Sequence, residues 1–243
     1  MRALILGGTK EARETAKLLQ ERGWHVTSSL AGRVANPALP VGEVRIGGFG
    51  GPAGLARWLI TSGVEVIIDA THPYAEKISL SASEASRATG IPLIGLHRKP
   101  WQAQPKDRWR EVDSVEDAAA LVARDYHHIF LSIGRQHLAP FANDPHNLYV
   151  IRAVDPPKVA LPPRNRVILS RGPFSLDSEK KLMVDNQIDV VVSKNSGGEM
   201  TYAKIEAARM LGIDVVLIRR PSLAPVTVEV HSPQAVLGVV EKL

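Results

Sequence analysis

The sequence predicts a two-lobed α/β protein in which parallel sheets are flanked by helices. Three observations predict it. Short apolar runs of β character alternate with stretches of helical period through both halves of the chain. Most of these runs end in polar, glycine-containing loops, as strands do when they turn into crossover helices. The rhythm stops once, at "HRKPWQAQPKDRW" after Leu96, where proline, charge and tryptophan mark a connection between lobes.

In the first half "ALILG" leads into a helix over 10–22, "HVTSS" forms the second strand, and "EVRI" leads into a helix over 53–62. "VEVIIDA" is followed by a helix over 75–89, and "PLIGL" closes the series. A boundary in the 97–110 region gives a first domain over 1–97 and a second over 98–243. The second half restarts with a helix over 114–124 and the strands "HIFLSIG", "LYVIRAV" and "RVILSRG". A helix over 175–186, the strand "DVVVSKN", a helix over 199–211, the strand "DVVLIRR" and a last helix from Pro233 follow. The expected architecture is two Rossmann-like lobes with the active site in a cleft between them, at the carboxyl ends of the strands.

Composition narrows the chemistry. The 243 residues, 44% hydrophobic, suit a globular chain, and no apolar run approaches the roughly 18 to 20 residues of a membrane span. The start, "MRALILGG", has no leader, so a soluble cytoplasmic protein is expected. Without cysteine there is no disulfide, thiolate nucleophile, iron–sulfur cluster or cysteine-bound zinc, which leaves an organic cofactor for redox work. The net charge of +5 suits an anionic ligand, but the basic residues are dispersed rather than striped, against a nucleic-acid partner. No metal site is expected, since His127 and His128 are adjacent and the other histidines lack acidic partners in the pattern. A G-x-S-x-G elbow and a Walker lysine are both absent.

The loops carry the remaining information. Gly7 and Gly8 stand between the first strand and first helix, a shortened form of the dinucleotide fingerprint, with Thr9 placed to cap the helix or to bond a phosphate. An NAD site carries an acidic residue about 20 positions further on. Here the second strand ends in Ser28 and Ser29 with Arg33 beyond, which suits an adenosine 2′-phosphate and favours NADP. Gly47, Gly48, Gly50 and Gly51 crowd one turn, so backbone passes close to something there. Asp69, Thr71, His72 and Tyr74 end the fourth strand. In the second half "ILSRGPFS" and "VVSKNSGGEMT" end two successive strands with Ser170, Arg171, Gly172, Ser193, Lys194, Asn195, Ser196, Gly197, Gly198 and Thr201. Read as adjacent strands, they face one cleft, where their cations suit a ligand with several carboxylates; Arg135 and His137 follow an earlier strand.

"ILGGTKEAR", "SLAGR", "GGFGG", "DATHPYA", "SRGPF" and "SKNSGG" with "KIEAAR" occur in this order. Together the chain resembles the precorrin-6A reductase family of cobalamin biosynthesis from Leu4 to Pro221. The resemblance implies an NADPH-dependent reduction of one carbon–carbon double bond of a corrin precursor, precorrin-6A to precorrin-6B or the cobalt analogue. Hydride goes to one ring carbon and a proton to its neighbour. It implies Gly7, Gly8 and Thr9 on the pyrophosphate or ribose, Ser29 and Arg33 on the 2′-phosphate, and Gly47, Gly48 and Gly50 with Thr71 and His72 near the nicotinamide. Arg171, Lys194 and Lys204 are implied as contacts for substrate carboxylates, with Gly172, Asn195, Ser196, Gly197, Gly198 and Thr201 lining the substrate. Lys194 is the first candidate for proton delivery and His72 the second. The competing readings are an NADP-binding sensor and a reductase of another small anion. A monomer is expected, with an oligomer left open.

Overall fold

The structure is a computed structural model that describes residues 1–32 and 38–242. Its contacts divide the chain into two compact units, one of Met1–Lys99 together with the chain from Pro221 on, the other of Pro100–Arg220.

The first unit opens with β1 (Arg2–Leu6), α1 (Lys10–Glu21), β2 (His25–Leu30), β3 (Glu43–Ile46) and α2 (Gly51–Thr61). It continues with β4 (Val66–Asp69), α3 (Glu76–Thr89) and β5 (Leu93–Leu96). All pairs are parallel, and the central strands β1, from Ala3 on, and β4 are continuously buried because helices cover both faces of the sheet. Alternation along β1 sorts the two layers. Ala3 and Ile5 face Ala12, Ala16 and Leu19 of α1, whereas Leu4 and Leu6 face Leu55 and Leu59 of α2 with Ala82 and Ala85 of α3.

The second unit contains β6 (Trp109–Val112), α4 (Val115–Asp125), β7 (His128–Ser132), β8 (Leu148–Ala153) and β9 (Asn165–Leu169). After them come α5 (Leu176–Asp185), β10 (Val190–Lys194), α6 (Ala203–Leu211) and β11 (Asp214–Ile218). The chain then returns to the first unit as β12 (Val228–Val230) and α7 (Pro233–Val240), with β12 paired to β5 and α7 packed on α1. The segment from Pro221 on, expected in the second domain, therefore belongs with the first.

Among the described residues each sheet has six strands. The first runs β12-β5-β4-β1-β2-β3, the doubly wound order in which the strand sequence reverses between β1 and β4. The second runs β6-β11-β10-β7-β8-β9, the same arrangement reversing between β7 and β10. Its outermost strand beyond β11 comes from the start of the unit, while the corresponding strand of the first sheet comes from the end of the chain. Two edge strands escape a reading of apolar runs: β6, "WREV", begins inside the stretch read as a connection, and β12, "VEV", is only three residues long. The order also corrects one expectation: β9 and β10 are not neighbours but are separated by β8 and β7.

Candidate functional site

In the first unit the loops of interest leave the carboxyl ends of four adjacent strands. Ser29, Leu6 and Asp69 stand side by side across β2, β1 and β4, and Arg45 of β3 lies opposite Ser29. Gly7 donates its N–H to the Ser29 carbonyl at 3.0 Å, which folds the loop after β1 over the end of β2. Gly8 has φ 114, a conformation that disfavours any side chain, and a Cβ there would meet nothing within 4 Å. The backbone is thus bare where it turns into α1, whose first-turn N–H groups point out of the helix.

Of the two uses open to Thr9 the structure displays the cap. Its hydroxyl accepts from Ala12 N at 3.1 Å and donates to the Ala70 carbonyl at 2.8 Å, tying the β1 loop to the β4 loop across the strand-order reversal. Thr71 is similarly engaged. Buried Asp69 accepts from the Thr71 hydroxyl at 2.6 Å and from its N–H at 3.1 Å, which shapes the turn that carries His72 to the surface. The His72 ring lies 5.5 Å from that of Tyr74.

The glycine turn after β3 has a holder the sequence reading did not single out. Arg45 donates to the carbonyls of Gly47 and Gly48 at 2.7 and 2.6 Å and stacks over the Phe49 ring at 3.8 Å. Gly47, Gly50 and Gly51 have positive φ, and a Cβ on any of them or on Gly48 would meet nothing within 4 Å. The turn therefore presents open backbone. Gly7, Gly8, Ser29, Gly47, Gly48 and Thr71 are thus brought together along one edge of one sheet, with Gly50 capping α2. Arg33 lies outside the described residues.

In the second unit the loop after β10 is stapled from behind. The Asn195 side chain is spent on the backbone of Trp101, accepting from its N–H at 2.8 Å and donating to its carbonyl at 3.1 Å. The Trp101 indole N–H donates to the Gly198 carbonyl at 2.9 Å, and Arg220 donates to the Asn195 carbonyl at 2.6 Å. Gly197 and Gly198 both take left-handed φ in the turn so held. Lys194, the last residue of β10, is 7% exposed, and the Ser196 N–H folds back onto its carbonyl at 2.8 Å. Trp101 falls in the stretch read as a connection, and no periodicity there could have marked it.

The loop after β9 meets this turn although the strands are apart. A Cβ on Gly172 would lie 3.3 Å from the Met200 carbonyl and 3.2 Å from the Phe174 ring, so glycine permits the close approach. Arg171 is exposed beside it. Below, Phe174 lies 3.7 Å from the Arg152 guanidinium, which makes a two-pronged ion pair with buried Glu179. The one signal for this pair in the sequence is an arginine inside the apolar run "LYVIRAV".

Lys204 departs from expectation. It is 3% exposed, donates to the Thr201 carbonyl at 2.9 Å and is not presented as a surface cation. Burial, and then repulsion from Arg152, push its pKa down to about 7, against a smaller opposite pull from Glu179. Arg135 is balanced by Asp155 at 3.5 Å. Among the described residues no cluster could hold a metal ion, and no helix is long and apolar enough to cross a membrane.

The comparisons bear on the family and the fold. The family described as precorrin-6x reductase CbiJ/CobK matches residues 2–241. A precorrin-6A reductase of Rhodococcus erythropolis is 50% identical over 227 residues, 93% of this chain and 92% of its own. A cobalt-precorrin-6A reductase of Priestia megaterium is 31% identical over 233 residues, 90% of this chain and 91% of its own. A solved structure titled CobK precorrin-6A reductase is 41% identical and superposes with a TM-score of 0.93, covering 100% of this chain and 96% of that one. The chain belongs to the precorrin-6x reductase CbiJ/CobK family.

Proposed function

We propose that this protein is a precorrin-6A reductase that uses NADPH to reduce one carbon–carbon double bond of the macrocycle, giving precorrin-6B. The observation that carries the reading is the family match over residues 2–241. The greater identity to relatives named for precorrin-6A, 50%, than to one named for its cobalt form, 31%, supports a metal-free substrate.

The first unit holds the cofactor. Bare backbone at Gly8, which Gly7 brings tight against Ala12 and the end of β2 and which leads into the positive end of α1, fits a pyrophosphate. Ser29 with Arg33 receives the 2′-phosphate, and the open turn at Gly47, Gly48 and Gly50 with the Thr71–His72 turn borders the nicotinamide. When bound, the nicotinamide supplies the hydride. The second unit receives the carboxylates through Arg171, Lys194, Ser196, Thr201 and the N–H groups of Gly197 and Gly198, with Gly172 keeping the two loops close. Asn195 acts by holding Trp101 rather than by facing substrate. Lys194 holds the proton destined for the carbon beside the one that takes hydride, with His72 the second candidate.

The test is turnover. Precorrin-6A mixed with NADPH and the protein is expected to lose nicotinamide absorbance and change its own chromophore in equal molar amounts. Binding of NADPH with no oxidation in the presence of precorrin-6A would overturn the reading in favour of a sensor.

A further inference from the structure

The turn between β10 and α6 is held at two points by two side chains that touch each other. Trp101 holds its start through the bond from the indole N–H to the Gly198 carbonyl. Lys204 holds its end through the bond from Nζ to the Thr201 carbonyl. The Lys204 ammonium lies 4.9 Å from the Trp101 ring centroid, within reach of a cation–π attraction. Helix α6 begins with no side-chain cap, and Lys204 reaches back three residues to donate to a carbonyl at the end of the turn, which fixes the turn's path into the helix without satisfying the free N–H groups there.

The charges around Lys204 come from other elements. Arg152 reaches it from β8 and Glu179 from α5, while β10 and β11 contribute Val191, Val215 and Leu217 to the same core. The phenol of neighbouring Tyr202 is turned to Arg209 at 2.6 Å. Glu179 is already paired with Arg152, so protonated Lys204 leaves the buried cluster with an excess positive charge directly beneath the turn. Such a charge favours an anion above it.

We propose that Lys204 is a positioning residue whose buried ammonium fixes the 197–201 turn in the shape that receives a substrate carboxylate, without touching the substrate. This deepens the reductase reading and rests on it for the identity of the substrate. The tether is strongest while Lys204 is charged, so it slackens as pH rises through about 7.

Lys204→Met keeps the length of the stem and removes the ammonium; Lys204→Arg keeps a charge that does not titrate in this range. In the wild type KM for precorrin-6A is expected to climb as pH passes about 7. In K204M it is expected to be flat and about tenfold above the low-pH wild-type value, the scale of one charge-assisted hydrogen bond. K204R is expected to hold a low KM at both ends, and NADPH affinity is expected to be the same in all three. A wild-type KM in K204M, or a raised KM that keeps the wild-type pH step, would overturn the proposal. A second readout needs no turnover: the Trp101 indole N–H resonance, assigned by its loss in Trp101→Phe, is expected to shift with a midpoint near 7 in wild type and to stay fixed in K204M. An indole that titrates equally in both proteins would remove Lys204 from the turn. One that titrates only in wild type, in a protein that never oxidises NADPH, would support the tether while overturning the reductase reading.

Discussion

Replacing Glu179 by leucine would strand Arg152 in the interior of the second unit. The two side chains are 5% and 1% exposed, so neither can recover water by a small movement. Removing one partner of a buried pair costs about 3–5 kcal/mol, because the remaining charge keeps its desolvation penalty and loses its counter-charge. Here the penalty is compounded by the Lys204 ammonium, which already repels Arg152. A loss of about 3 kcal/mol multiplies the population of opened states roughly a hundredfold. Hydrogen exchange resolved by segment is the suitable assay, since it reads the two units separately. Amides of β8 and β10 are expected to exchange faster by about that factor in E179L, those of β1 and β4 to be unchanged. The double variant Arg152→Met with Glu179→Leu removes both charges and is expected to recover most of the loss. If β8 and β10 exchange at the wild-type rate in E179L, or the double variant is no better than the single one, the pair does not organise this core.

Other substitutions separate the remaining roles. Thr9→Ala loses both the cap and the tie to Ala70, and is expected to cost about 1 kcal/mol in denaturant unfolding and to weaken NADPH binding in a fluorescence titration. Gly172→Ala forces the β9 loop away from the Met200 carbonyl and is expected to raise KM for precorrin-6A while leaving NADPH affinity intact. Arg33→Ala is expected to reduce affinity for NADPH at least about tenfold and leave that for NADH unchanged, measured by titration of each nucleotide. The lowered pKa of Lys204 also has a sign for stability. The folded state gives up this proton near 7 and the unfolded chain near 10.5, so the cost of burying the charge is full below about 7 and fades as pH rises to 10.5. K204M is therefore expected to melt higher than wild type below about pH 7, the opposite direction to its effect on KM.

The central strands and the helices that cover them are legible in the sequence because burial on both faces writes continuous apolar runs such as "VIID" and "VVVSK". Of the edge strands β3 and β9 are legible, while β6 is hidden because it begins inside the stretch read as a connection and β12 because it is only three residues long. Glycines at strand ends marked the loops correctly, but what holds those loops lies far away in the chain: Trp101 is 94 residues from Asn195 and 97 from Gly198. Cations were the least legible. The sequence offers Lys194 and Lys204 alike as contacts for substrate carboxylates, whereas both are buried and Lys204 is turned onto the Thr201 carbonyl. Adjacency was misjudged for a related reason, because the reversal of strand order separates β9 from β10 while their loops still meet at Gly172 and Met200.

The late arrival of β12 has a consequence for biosynthesis. As the chain leaves the ribosome, β1 to β5 emerge first, yet the strand that covers the β5 edge is more than 130 positions away, Leu93 being bonded to Thr227 across 134 residues. The whole of the second unit is synthesised in the interval, with its own outer strand β6 available from the start. Until then the outer strand on that side is β5, all of whose residues are buried in the finished sheet, and an apolar edge of that kind is one at which nascent chains pair with each other. The segment from Pro221 on thus replaces an apolar edge left by the first hundred residues with a short, largely exposed one, and a chain interrupted just before it would emerge with its second unit complete and its first unit adhesive.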